Sequence, residues 1–173
     1  MKNKFILGFL IIFFIFFFII LFKSLRNSNI YVPEQNFEKK LINFNSEDFF
    51  SGKKISSEDV FVGSDYYILN IWASWCGPCR TEHPQLMELS KNLSIKLIGL
   101  NYKDDLKNAK KFINNFGNPY STILLDHDGI ISIELGAYGI PETFIINKQK
   151  NIIRKYTGIL NRERIKEINL ILK

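Results

Sequence analysis

Cysteine is scarce in this chain, with two in 173 residues. That scarcity excludes a disulfide-dense scaffold. Ten glycines and five prolines are too few for a collagen-like repeat or a low-complexity disordered chain. Acidic residues are missing altogether from the first 26 positions, which carry Lys2, Lys4, Lys23 and Arg26. Beyond that segment 19 basic residues face 17 acidic ones, so the formal net charge of +6 falls to +2. Most of the basicity therefore flanks one hydrophobic segment, and a nucleic-acid role gets little support. No internal repeat is visible. What the chain does have is apolar bulk: 46% of its residues, including 16 Phe and 7 Tyr, ample for one core.

Residues 5–22 form an uninterrupted run of Phe, Ile and Leu with one Gly. As a helix it reaches roughly 27 Å, close to the hydrocarbon thickness of a thin bilayer. A cleaved signal peptide usually has a shorter apolar region ending in small residues. Here the run ends in Phe22-Lys23-Ser24-Leu25-Arg26, and no alanine precedes Ala73. The segment reads as an uncleaved transmembrane anchor. Lys2, Lys4 and the amino terminus slightly outweigh Lys23 and Arg26, which favours a short cytoplasmic N-terminus at residues 1–4. Residues 23–35 read as a tether, and 36–173 as one domain outside the inner membrane.

Within that domain, Tyr66–Trp72 is short and apolar enough for a buried strand. It leads into Cys76-Gly77-Pro78-Cys79 and a helix-forming stretch to about Asn92. Ser94–Tyr102 returns to strand character. Asp104 or Asp105 can cap the next helix, with Leu106, Ala109, Ile113 and Phe116 at helical spacing. Ser121–Leu125 is another strand, ended by the turn Asp126-His127-Asp128-Gly129. Residues 144–146 and 152–156 flank a hairpin turn, and Asn161 caps a terminal helix. This order predicts an α/β domain, a mixed central sheet flanked by helices. Residues 36–65 show no clear periodicity, and an extra edge hairpin is the expectation there.

The two cysteines sit two residues apart at a strand–helix junction. Unpaired N–H groups and partial positive charge at a helix N-terminus favour a thiolate at Cys76. Cys79, one turn later, is placed to attack a mixed disulfide at Cys76, and Pro78 costs no hydrogen bond at the helix start. The arrangement suits reversible thiol–disulfide exchange. A zinc site would have to draw on Cys76, Cys79, His83 and His127, which lack a finger spacing. Haem attachment needs a His directly after the second Cys, where this chain has Arg80. A purely structural disulfide would close too small a loop to stabilise much.

The segment Trp72-Ala73-Ser74-Trp75-Cys76-Gly77-Pro78-Cys79-Arg80 resembles the thioredoxin active site. Pro84 stands where thioredoxin helices are kinked, and Gly139-Ile140-Pro141 resembles the loop whose cis-proline faces the disulfide. More narrowly, Leu69–Cys76, Arg80–Pro84, Gly99–Asp104 and Gly136–Phe144 resemble the membrane-anchored thioredoxin-like proteins of cytochrome c biogenesis, the DsbE/CcmG type. The resemblance implies a thioredoxin-like fold and a periplasmic reductant. Its client would be oxidised apocytochrome c or the thiol-handling maturation protein, and its electron donor a membrane protein of the DsbD/CcdA type. Cys76 would attack and Cys79 resolve, with no cofactor or metal beyond their disulfide. Trp75, Gly77, Pro78, Tyr138, Ile140 and Glu142 would contact the client strand, and Pro141 would shape its groove. Glu82 and Glu142 match the acidic residues that mark this family's active site.

Cytosolic thioredoxins have a buried carboxylate where this chain has Asn70, and an amide cannot take a proton from Cys79. Glu82, three residues after Cys79, can serve instead, directly or through water. Two glutamates near a thiolate would also oppose its ionisation. Among the neighbours, Trp72 reads as core, His83 and His127 as surface or turn residues, and Lys148–Lys155 as a basic hairpin. Two alternatives stay open: a general extracytoplasmic reductase or oxidase with other clients, and a metal-handling module using Cys76, Cys79 and His83.

Overall fold

The computed structural model describes residues 2–26 and 39–172. Two compact units divide the chain, Met1–Pro33 and Glu34–Lys173. The first contains one helix, α1 (Lys2–Arg26). Its Phe5–Lys23 stretch, 19 residues with no part buried, is long and apolar enough to cross a membrane. Lys23–Arg26, expected to begin the tether, continue this helix. The rest of the tether lies outside the described residues, as do residues 36–38 of the expected domain.

The second unit is built on one eight-stranded mixed sheet. Its elements in chain order are β1 (Lys39–Lys40), β2 (Asn45–Asp48), β3 (Lys54–Ser56), α2 (Ser57–Val60), β4 (Tyr66–Trp72), α3 (Gly77–Leu89) and β5 (Ile95–Tyr102). Then follow α4 (Leu106–Phe116), β6 (Thr122–Asp126), α5 (Ile130–Leu135), β7 (Glu142–Asn147), β8 (Asn151–Thr157) and α6 (Arg162–Ile171). The strand order is β1-β8-β7-β4-β5-β6-β2-β3. β4, β5 and β6 run parallel, while β7 and β8 are antiparallel to their neighbours. The expected edge hairpin exists as β2–β3, paired to β6 through β2.

The central strand explains the two-sided core. Successive β-strand side chains point to opposite faces, so Ile68, Asn70 and Trp72 face one way and Tyr67, Leu69 and Ile71 the other. The first face is covered by apolar residues of α3, α4 and α6, including Leu86, Phe112 and Ile168. The second is covered by Val60 and Phe61 around α2 and by Leu135 of α5. With both faces covered, β4 must be apolar almost throughout, which accounts for its continuous run. Asn70 is its one polar side chain facing inward, and it is fully buried.

Candidate functional site

The parallel pair β4 and β5 places two loops side by side at the ends of their strands. After β4, Ala73-Ser74-Trp75 leads to Cys76; after β5, Lys103 and Asp104 follow Tyr102. The Asp104 carboxylate accepts hydrogen bonds from the Ser74 N–H, from Ser74 Oγ at 2.7 Å and from Asn101 Nδ2 at 3.0 Å. Asp105, not Asp104, caps α4, accepting from the Asn108 N–H at 2.9 Å. The indole N–H of Trp75 donates to the Lys103 carbonyl at 3.0 Å. Two adjacent acids thus divide the work, one tying the loops together and one starting a helix.

Cys76 is the N-cap of α3, and its Sγ accepts the Cys79 N–H at 3.1 Å. The two cysteines form a disulfide, with S–S 2.08 Å and Cα–Cα 5.3 Å. Both are nearly buried, while Trp75, Gly77 and Pro78 around them are exposed, Trp75 by 59%. The first N–H groups of a helix have no intrahelical acceptor and carry partial positive charge. A sulfur at this cap is therefore stabilised as a thiolate when the pair is reduced.

Glu82 lies one turn further along α3 and is fully buried. Its Oε1 accepts from Asn70 Nδ2 at 2.9 Å and its Oε2 from the Leu160 N–H at 2.8 Å. Asn70 also donates to Thr143 Oγ1 at 3.0 Å and accepts from the Tyr120 hydroxyl at 2.8 Å. Burial raises the Glu82 carboxyl to about 7, against the lowering effect of those hydrogen bonds. The same burial, with the nearby Glu82 charge, pushes the Tyr120 hydroxyl well above its ordinary range. A carboxyl that titrates near neutrality on the cysteine face is suited to moving a proton.

The second glutamate occupies a different place. In register, Asn70 pairs with Thr143 and Ile71 with Glu142, so Glu142 points to the opposite face of the sheet from Glu82. The like-charged pair expected beside one thiolate is therefore divided by the sheet. Nor is Glu142 available to a client strand, because it is fully buried. Its Oε1 accepts the Tyr138 N–H at 2.9 Å and its Oε2 lies 2.9 Å from Lys155 Nζ. Tyr138 itself is 67% exposed, Ile140 is part-buried against the cluster that contains both cysteines, and Pro141 is buried after a cis peptide bond.

Lys155 departs from the basic-hairpin reading, since its side chain is only 5% exposed. The cause is a bulge in β8. Ile146 pairs with Ile152 but Phe144 with Lys155, so one extra residue shifts the alternation and turns Lys155 inward. Residue patterning at period 2 cannot register such an insertion.

His83 also departs from its surface reading. It is buried, edge-on to Phe112 with ring centroids 5.0 Å apart, and its Nε2–H donates to the Gly117 carbonyl at 3.1 Å. Burial holds its pKa below the usual imidazole range. That nitrogen is thus spent on the backbone, which weighs against Cys76, Cys79 and His83 acting together on a metal. His127 is exposed, 3.5 Å from Glu47, as expected for a turn residue. Among the described residues no group of three or more His, Cys, Asp or Glu side chains is arranged to hold a metal ion.

Comparison with known proteins agrees with this geometry. The redoxin family model matches residues 35–171. The thiol:disulfide interchange protein DsbE of Escherichia coli (strain K12) is 37% identical over 166 residues, covering 93% of this chain and 89% of that protein. DsbE of Vibrio cholerae is 39% identical over 129 residues, 75% of this chain and 69% of its own. In fold, the chain is similar to the thioredoxin domain of a thiol-disulfide oxidoreductase from Bacteroides vulgatus. That match has a TM-score of 0.66 at 17% identity, covering 78% of this chain and 96% of the other.

Proposed function

Because the chain belongs to the redoxin family and, within it, to the DsbE thiol:disulfide interchange proteins, it is a thiol:disulfide oxidoreductase, and from that premise we propose that it works as a periplasmic reductant in cytochrome c maturation. Its client would be apocytochrome c or the thiol protein that handles it. The observation that carries the chemistry is Cys76 at the N-cap of α3, bonded to Cys79.

The exchange runs in two steps. The Cys76 thiolate attacks one sulfur of the client disulfide, forming a mixed disulfide and releasing the other client sulfur as a thiolate. Cys79 then attacks Cys76 Sγ, which releases the second client sulfur and closes the Cys76–Cys79 bond. Two electrons pass to the client, whose two thiolates take up protons. Glu82 receives the Cys79 proton, directly or through water, before the attack. A dithiol donor in the membrane, of the DsbD/CcdA type, returns the pair to its reduced form. The redox centre is the cysteine pair itself, with no added cofactor.

Pro141 and the exposed Trp75, Gly77, Pro78 and Tyr138, with Ile140, line the groove that receives the client strand. Glu142 acts behind the groove rather than in it, because it is buried. α1 serves as an uncleaved single-pass anchor in the inner membrane. Replacing Cys79 with Ser leaves Cys76 free to attack but removes the resolving thiol. C79S should therefore accumulate a covalent adduct with an apocytochrome c or its thiol-handling partner, seen on non-reducing gels and identified by mass spectrometry. Adducts made only with unrelated secreted proteins would favour a general extracytoplasmic reductase or oxidase.

A further inference from the structure

Lys155 is the only buried lysine among the described residues, and the exchange chemistry makes no use of it. A buried ammonium is costly unless paired and hydrogen-bonded. Its three nearest partners lie on one short segment, and its cross-strand neighbour Phe144 lies just beyond it, with Nζ 5.5 Å from the ring centre. Nζ donates to the Gly136 carbonyl at 2.6 Å, lies 2.9 Å from Glu142 Oε2, and sits 3.9 Å from the centre of the Tyr138 ring. Glu142 Oε1 accepts the Tyr138 N–H in turn. The ammonium–carboxylate pair thus grips residues 136–142 at both ends and in the middle. The outward side of that segment is exposed at Tyr138 and Gly139 and ends at Pro141.

We infer that Lys155 is a positioning residue for client binding: it fixes Tyr138 and the backbone of residues 136–141 in the shape that receives a client strand. It does this from beneath the loop, on the sheet face opposite Asn70, Thr143 and Glu82. The inference rests on the reading of Tyr138 and Pro141 as groove residues. Removing the ammonium leaves the cysteine chemistry in place but lets the loop sample other shapes. The cost then falls on productive binding and not on bond exchange.

The test uses the full chain in detergent, reduced and freed of reductant. It is mixed with a short synthetic peptide closed by one Cys–x–x–Cys disulfide, in single turnovers quenched by alkylation. K155M should raise the peptide concentration for half-maximal rate by about tenfold, with the limiting rate within about twofold of the parent chain. The reduction potential should not move. E142Q/K155M leaves no charge stranded in the interior and should show the same binding defect. Y138L should weaken binding too, and K155M/Y138L should be no worse than the weaker of the two single variants.

If Y138L binds the peptide as well as the parent chain, the groove reading fails and the inference with it. If Y138L binds poorly but K155M and E142Q/K155M bind normally, the groove stands and the inference alone is overturned. Multiplying effects in the double variant would likewise overturn it, because Lys155 would then act by a route other than Tyr138. An E142Q/K155M chain that does not fold marks a purely structural lysine and counts against it as well.

Discussion

Glu82 is a carboxyl group in an interior that opposes its charge. Burial holds it at about 7, and Asn70, Leu160 and Tyr120 fix its orientation through direct and shared hydrogen bonds. The cost of this arrangement depends on pH. In the unfolded chain the carboxyl titrates near 4.5; in the folded chain, near 7. Between these values the folded state holds a proton that the unfolded state has released. Stability therefore falls as pH rises through this window, by about 3 kcal/mol in total. E82Q should remove that falling contribution in denaturant titrations of the oxidised chain at pH 4.5 to 8, leaving the opposite, rising contribution of His83, whose buried imidazole is held below its ordinary range. The same variant should slow release of a mixed disulfide by ~10²-fold at neutral pH, since a general base contributes on that scale. It should also move the rise in rate to higher pH. Unchanged stopped-flow kinetics would remove Glu82 from the proton path.

Cys76 and Cys79 were legible as residues because reactivity at a C-x-x-C depends on spacing and on the helix start, both written locally. Glu142, His83 and Lys155 were not, because their surroundings come from distant segments. The bulge that turns Lys155 inward and the Gly117 carbonyl that engages His83 have no local signature.

At the scale of elements, the joint between β4 and β5 sets the site. Gly99 of β5 pairs with Asn70 of β4, and a Cβ there would lie 2.9 Å from Trp72 Nε1 and 2.9 Å from Tyr120 Cγ. Both rings are buried, and they stack with centroids 5.7 Å apart. Tyr120 cannot yield without disturbing its hydrogen bond to Asn70 and, through it, Glu82. G99A should cost ~1–3 kcal/mol by overpacking, measured by chemical denaturation. It should also shift the pH dependence of exchange. β4, β5, α4 and the β7–β8 hairpin could be read from the sequence because periodicity and turn residues agree there. α5 could not: it has six residues, its N-cap is Gly129, which has no side chain to cap it, and the first-turn N–H of Ser132 is taken instead by the Asp126 carboxylate, from before the turn, at 2.9 Å. β7 begins at Glu142, two residues before its apolar run, because register with β4 sets its start.

For the whole molecule, the division is between an apolar helix and a redox domain. α1 leaves large Phe, Ile and Leu side chains uncovered along its length, which a bilayer would cover. Alkaline carbonate should leave the full chain in the membrane pellet and release a chain that begins at Glu34; extraction of the full chain would argue for a cleaved signal. The thioredoxin-like fold was legible from the order of elements and the motif together. The two outer edges of the sheet, β1 beside β8 and β2–β3 beside β6, draw on residues 39–56, where short strands carry little pattern of their own.

As a reductant, the Cys76–Cys79 pair gives two electrons to its client in each exchange. The direct measurement is the equilibrium reduction potential of this pair in the full chain, by titration against glutathione or dithiothreitol buffers. A reductant supplied from the membrane should lie at about −200 mV or lower, in the glutaredoxin-to-thioredoxin range. A value near about −120 mV, that of a strong oxidant, would contradict the account and make disulfide formation the function.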